Sequence, residues 1–422
     1  MSGVVIIGAG AAGLMAAGAA VRQGHQVTVL EHTDKPGQKI LVTGKGRCNL
    51  TNDCTAEEFL RHVRTNPRFL FSSLGAFPPA DTMALFQSLG VPLKVERGRR
   101  VFPVSDRAED IRQALLRYAA DARLVYDGAA KLLLEPLPQP QPQPGKKQKP
   151  GPALRCVGVR GGSGQEYRAD AVLVATGGVS YPTTGSTGDG YRLARQAGHT
   201  LVEPLPSLVS LVSHDPDCKK MMGLALKNVV LTLYEDGKAI FDEQGEMLFT
   251  HFGISGPLTL SASSHLGDMK KHTYYVEIDL KPALSEQQLY DRVTRDFGLL
   301  ANHAAQGALV KLLPSSMQPV MVERWGIDPA TRANQITREQ KRELVRLCKH
   351  WRVSIDARGD LAHAVITSGG VSVREVDPRT MQSKKAAGLY FAGEVLDVDA
   401  YTGGYNLQIA FCTAQAFAKN LP

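Results

Sequence analysis

The stretch that most constrains this chain is "VVIIGAGAAGLMAAGAAVRQGHQVTVLE", residues 4–31. Residues 4–7 form a short β-branched run suited to a strand buried on both faces. Gly8, Gly10 and Gly13 fit G-x-G-x-x-G. The Ala-rich stretch to Arg22 favours a helix, and residues 26–30 form a second strand ending at Glu31. Each residue has a physical task. Gly8 allows the tight turn, Gly10 lets backbone N–H groups approach a pyrophosphate, and Gly13 lets helix and strand pack closely. Ala12 lies in the same helical first turn. Glu31, at the end of the second strand, accepts hydrogen bonds from a ribose diol. Strand, helix, second strand and terminal acid together point to a bound dinucleotide. They do not separate FAD from NAD.

Composition narrows the class. Of 422 residues, 43% are hydrophobic and 21% charged, the balance of a globular protein with room for two or three domains. The net charge of +8 permits an anionic cofactor, substrate or nucleic acid. Six cysteines contain no C-x-x-C and no zinc spacing, so reduced thiols, no metal and a cytoplasmic location are expected. The N-terminal stretch lacks the basic flank of a signal peptide, and no run approaches a membrane span.

The remaining chain divides by pattern. Residues 53–122 read as mostly helical, with Arg97, Arg99, Arg100 and Arg107 gathered around an apolar Val-Phe-Pro. "LVYDGAAKLLLEP" reads as a strand pair, and residues 136–152, rich in Pro, Gln and Lys, as an exposed mobile loop. Residues 169–198 return to strand, loop and helix, with Thr176 and Gly177 at the strand's C-terminal end, where ligands sit in open α/β sheets. Residues 201–284 alternate like an antiparallel sheet or barrel, and 285–352 turn helical and close on a basic segment, 332–352. The last stretch, 353–422, carries a strand ending in Gly393-Glu394 and a final helix opened by "GGYN". Domain boundaries follow: 1–200 with 353–422 as a discontinuous dinucleotide domain, 201–284 as an inserted β domain, and 285–352 as a small helical domain.

Four separated blocks, residues 8–13 with Glu31, "KPGQKILVTGKGRCNLTN", "HFGISGP" and "GLYFAGEVLDVDAYTGGYN", closely resemble the BaiN/RdsA-type flavoproteins, a family also described as aminoacetone-oxidase-like or NAD(P)/FAD-dependent oxidoreductases. The likeness runs over nearly the whole chain; the loop at 136–152 departs from it. It implies an α/β fold, a glutathione-reductase-like FAD-binding Rossmann domain with an inserted β-barrel-like domain and a small helical domain. It implies FAD along Gly8, Gly10, Ala12 and Gly13, with Glu31 on the adenosine ribose. Lys39, Arg47, Cys48, Asn49 and Thr51 would line the flavin, and Ala129 would pass the adenine. Thr176 and Gly177 would run beside the pyrophosphate, while Gly393, Glu394, Gly404 and Asn406 would cover the ribityl chain and ring. The helix opened by Gly404 would point its positive end at the flavin.

Three residues are candidates for the chemistry. Cys48 is either a thiol that acts as acid or adduct former or a small residue packed on the cofactor. His251, at a strand end before a glycine turn, is a candidate proton donor, as is Tyr401 before "GGYN". The arginine cluster suits a phosphate-bearing substrate. No second G-x-G-x-x-G for a nicotinamide cofactor is present, so NAD(P)H is expected as a transient electron donor. The resemblance leaves three activities open: a reductase delivering hydride to a C=C bond, with uridine in 23S rRNA as one substrate; an oxidase of a small amine; and a reductase of a steroid-like unsaturated acid. A flavin-binding module without activity is a fourth reading.

Overall fold

The computed structural model describes residues 2–138 and 151–422. The stretch expected as a mobile loop falls largely outside the described residues. Five strands build a parallel sheet: β1 (Gly3–Ile7), β2 (Gln26–Glu31), β3 (Arg123–Tyr126), β4 (Ala171–Val174) and β5 (Leu389–Phe391). Their order is β5-β4-β1-β2-β3, with Val4 beside Ala171 and Val27 in register. Every side chain of β4 is buried, as an apolar run covered on both faces requires. Helix α1 (Ala11–Arg22) follows β1 directly, and α2 (Tyr405–Lys419) follows β5 after a turn. Both helices place their apolar residues in one core with β1, β4 and β5. The C-terminal stretch therefore completes the sheet that the first thirty residues begin.

Two expectations need correcting. The two halves of "LVYDGAAKLLLEP" do not pair with each other. β3 joins the parallel sheet beside β2, while Ala129–Pro136 pairs antiparallel with Leu154–Gly161. The Asp-Gly between them resembles a hairpin turn. Instead Asp127 accepts from Ser163, and the open edge of β2 captures the first segment. The region 53–122 is also less helical than its composition. Besides four short helices it holds Leu93–Glu96 and Arg100–Pro103, which pair antiparallel, and Thr51–Asn52 joins Arg100–Pro103. Val101, Phe102 and Pro103 are buried, and that burial outweighs the charged flank.

The chain forms two compact units, Met1–Ser207 with Leu361–Pro422, and Leu208–Asp360. Residues 201–207 belong to the first because Leu201–Ser207 pairs with Ile366–Val371. In the second unit, seven strands form one sheet whose edge strands are Trp351–Ile355 and Ala357–Arg358. Only Asp356 separates these edges in sequence, so the sheet curls back on itself in a barrel-like manner. Helices Glu286–Leu299, Gln318–Trp325 and Arg338–Lys349 bury Leu289, Val293, Phe297, Trp325 and Leu344 in the same core as the sheet residues Leu231 and Val276.

Candidate functional site

The glycine turn lies where β1, β2 and β4 end. Gly8 N–H donates to Leu30 O at 2.8 Å, and Ala9 N–H donates to Glu31 Oε2 at 2.8 Å. Glu31 is buried, and its other oxygen accepts from Thr33 N and Oγ1 at 2.8 and 2.9 Å. A carboxylate oxygen takes about two donors, so Oε2 retains room for a hydroxyl. The three glycines differ in what a side chain would meet. A Cβ on Gly13 would overlap Gly8 O, and one on Gly8 would sit 2.8 Å from Ala175 O. A Cβ on Gly10 would meet no atom within 4 Å among the described residues. Gly10 caps α1, and no side chain caps that helix end. The first N–H groups of α1 thus face open space of the kind an anion fills. Thr176 lies against Gly8, since its Cα is 3.1 Å from a Cβ placed there, and Gly177 follows with φ 72°. Ala129 sits farther along, its carbonyl accepting from Arg192 Nη2 at 2.8 Å.

The second half of the site is assembled from distant segments. Lys39, in the short helix Gln38–Val42, places Nζ 2.8 Å from Glu394 Oε2 and 2.7 Å from Ser180 Oγ. Glu394 Oε1 also accepts from Ser180 Oγ at 2.9 Å and Thr367 N at 2.8 Å. Gly393 packs on α1: a Cβ there would lie 2.9 Å from the Cβ of Ala12. Gly404, at φ 95°, presses on the backbone of Thr51 so closely that any side chain would overlap it. Thr51 Oγ1 donates to Gln408 Oε1 at 2.8 Å. Asn406 holds the turn before α2 through Ala400 N (3.0 Å) and Ala400 O (2.8 Å). No side chain caps α2 among the described residues. Asn49 Oδ1 is buried without a hydrogen-bond partner among the described residues, an acceptor that a ligand donor would satisfy.

Residues 8–13, 39, 51, 393, 394 and 404 are thus brought together, and they fit a flavin dinucleotide on three counts. These are the open face at Gly10, the orphaned Asn49 oxygen and two uncapped helix N-termini.

The remaining candidates fare differently. Arg47 was expected against the cofactor; its guanidinium instead pairs with Glu96, donates to Asp106 at 2.7 Å and lies over the Phe102 ring at 4.1 Å. With two carboxylates satisfying it, Arg47 braces the loop against Leu93–Glu96 and has little charge left for a ligand. Cys48 is fully buried with φ 58°, and burial pushes its thiol up to about 12. Near neutrality it is a thiol and not a thiolate, which argues against an adduct former and suits a small residue packed at the site. His251 belongs to the unit Leu208–Asp360, where it is exposed and edge-on to Phe252. Tyr401 stands in the turn before α2, half-buried, its N–H donating to His62 O at 3.0 Å and its ring edge-on to His62.

Sequence reasoning missed Ser180, Thr367 and Gln408. None lies in a recognisable motif, and each is defined only by its partners. It also missed Asn52, whose Nδ2 donates to Gly98 O and Gly403 O at 3.0 and 3.1 Å. Asp397 and Asp399 are buried, and burial raises both carboxyls. No group of three or more His, Cys, Asp or Glu among the described residues is placed to hold a metal. No helix among them is long and apolar enough to cross a membrane.

Comparison with known proteins agrees with this geometry. The family model described as HI0933-like protein Rossmann domain matches residues 2–420. A 3-dehydro-bile acid delta(4,6)-reductase of Clostridium scindens is 32% identical over 98% of this chain and 97% of its own. A ribosomal RNA dihydrouridine synthase of Haemophilus influenzae is 31% identical over 99% and 98%, and one of Escherichia coli is 29% identical over 99% and 97%. Among solved structures, a 3-ketosteroid delta1-dehydrogenase from Sterolibacterium denitrificans shares the fold, with a TM-score of 0.50 at 13% identity, covering 99% of this chain and 98% of that one. Together with the converging glycine turn, acid and second-half loops, these matches place the chain in the HI0933-like Rossmann family, the BaiN/RdsA-type FAD-dependent oxidoreductases, to which it belongs.

Proposed function

We propose that this chain is a reductase that adds a hydride and a proton across a C=C bond conjugated to a carbonyl, and that its substrate is a uridine in ribosomal RNA. Two relatives that match over nearly their whole length are named for dihydrouridine formation in ribosomal RNA. One observation supports an anionic substrate such as RNA over a small amine. Residues 208–360 carry 19 basic and 19 acidic side chains, so the whole excess of +8 falls on the unit holding the site.

FAD, when bound and reduced, supplies the hydride. Gly8, Gly10 and the N–H groups of α1 would hold its pyrophosphate, and Glu31 its ribose. Asn49 would accept from it, and Glu394, fixed by Lys39, would contact the ribityl chain. The N-terminal end of α2 would stabilise negative charge near the ring. The uridine C5=C6 bond is conjugated to the C4 carbonyl, so hydride goes to C6 and a proton to C5. Tyr401 is the proposed proton donor. It lies on the turn that opens α2 and is half-buried, whereas Cys48 is fully buried. NAD(P)H is the proposed electron donor.

Deletion of the gene followed by mass mapping of 23S rRNA tests this. Loss of the two-hydrogen mass increment at a single uridine is the expected result, and unchanged dihydrouridine refutes it. Slow air reoxidation of dithionite-reduced protein is expected of a reductase; rapid reoxidation with peroxide release would favour the amine-oxidase reading. The bile-acid reductase relative favours a second substrate with the same chemistry, an enone in a steroid ring. Turnover of such a steroid without any rRNA change would select it.

A further inference from the structure

Two arginine-bearing segments are fastened to the same turn, residues 399–404, that opens α2. On one side, Val63 bridges to Ala400, and Arg64 N and Thr65 N donate to Asp399 O at 2.8 and 3.2 Å. Asn66 Nδ2 adds a bond to Asp397 Oδ2 at 2.9 Å. On the other side, Asn52 Nδ2 ties Gly98 O to Gly403 O, and Asp53 N donates to Arg99 O at 2.8 Å. Gly98 has φ 75°, which makes the tight turn that displays its arginine neighbours.

The two segments carry Arg61, Arg64, Arg68, Arg97, Arg99 and Arg100. Arg61 pairs with Glu57 and Arg99 with Glu58. Arg64, Arg68, Arg97 and Arg100 are all exposed. No carboxylate lies within ion-pair distance of them among the described residues. Arg100 Nε instead donates to the backbone, to Arg97 O at 3.0 Å. Four exposed guanidiniums on two separately anchored segments, one of them (Arg64) also facing the Asp399 carboxyl, concentrate positive potential beside the turn, where it attracts an anion.

We infer that Arg64, Arg68, Arg97 and Arg100 form a rim that binds the phosphodiester backbone of a single-stranded or looped RNA segment, presenting one of its bases at the turn before α2. This rests on the RNA reading above and deepens it. A polyanion fits because the charges sit on two segments rather than converging as they would on one carboxylate or phosphate. A base paired in a duplex cannot reach a pocket, so an unpaired segment is the form bound.

The test uses FAD-loaded protein and a fluorescein-labelled single-stranded RNA of about 12 nucleotides, within the usual span of single-strand sites. Anisotropy is followed as salt is varied. For the Arg97→Gln/Arg100→Gln double variant, with flavin absorbance equal to wild type, the slope of log K against log salt should fall by about 1.4, as expected for two lost phosphate contacts at about 0.7 each. The Arg64→Gln/Arg68→Gln variant should behave alike, and Arg97→Lys/Arg100→Lys should keep most of the slope. An Arg338→Gln/Arg342→Gln variant, on the basic helix of the other unit, should bind as wild type. Unchanged binding by both rim variants, or a loss confined to the Arg338/Arg342 variant, overturns the rim and leaves the RNA reading standing. Absence of any salt-dependent RNA binding by wild type overturns both.

Discussion

The two halves of the candidate site are built by different means. The proposed nucleotide half, residues 8–13 with Glu31, is backbone completed by one carboxylate. Its shape comes from missing side chains, and all its parts lie within one strand–helix–strand segment. The proposed ring half adds a side-chain network from residues 39–52, 180, 367 and 393–408, and its central pair, Lys39 with Glu394, is 355 positions apart in sequence. A glycine packed on backbone, as at Gly8, Gly13 and Gly404, tolerates no added atoms, whereas a side-chain network tolerates loss of one member at the cost of its neighbours. Mutation should therefore act abruptly at those packed glycines and gradually in the side-chain network.

The sharpest contrast lies within the glycine turn. Gly13→Ala must drive a methyl into Gly8 O, and a loss of at least about 3 kcal/mol in apoprotein stability by urea unfolding is expected. Gly10→Ala meets no atom within 4 Å among the described residues. It should leave the apoprotein within about 1 kcal/mol of wild type while weakening FAD at least tenfold. Equal behaviour of the two variants would erase the distinction between packing glycine and ligand glycine. Next in size is Glu31→Ala, expected to weaken FAD by about 1–3 kcal/mol through the lost ribose bonds, read by flavin titration. Wild-type-like affinity would remove Glu31 from the site.

The ring half should respond less. Lys39 and Glu394 are each 22% exposed, between the regimes of surface and buried pairs. A double-mutant cycle with Lys39→Met and Glu394→Gln should give a coupling of about 1–2 kcal/mol in stability; a coupling near zero would mean the pair does not brace the site. The smallest effect concerns pH. His199 packs edge-on against Phe391 of β5, two residues before Gly393, and burial lowers it from 6.5 to about 4. The unfolded chain takes up a proton from pH 6.5 downward while the folded chain refuses it until about 4, so stability is lost across that window as pH falls. At pH 5.5 the loss should be about 1 kcal/mol relative to pH 7.5, and His199→Gln should abolish that dependence. Acid stability equal in both proteins would contradict the assignment.

What could be read from the sequence follows the same division. β1, α1 and β2 were legible because spacing alone encodes them: an apolar run, three glycines and an acid carry their structure locally. The discontinuous sheet was legible because a late strand ending in Gly-Glu, followed by a glycine-opened helix, matches the ligand edge of such folds. The partners of Arg47 were not legible. Glu96 and Asp106 lie about fifty and sixty positions away, and no local pattern says that a cation beside glycines is already neutralised. The burial of Cys48 was hidden for the same reason. The strand Arg100–Pro103 was hidden by its arginine neighbours, since charge density argues for a loop until the apolar face is seen to pack. Ser180, Thr367 and Asn52 matter only through contacts that the fold creates.

The central claim is that the open face beside Gly10 is where the cofactor's pyrophosphate binds. Titration of wild-type and Gly10→Ala apoprotein with FAD, followed by flavin fluorescence, tests it most directly. Saturation of wild type at one FAD per chain, with at least a tenfold loss of affinity in the variant and unchanged apoprotein unfolding, is the predicted result. Equal affinity in the two proteins would contradict it.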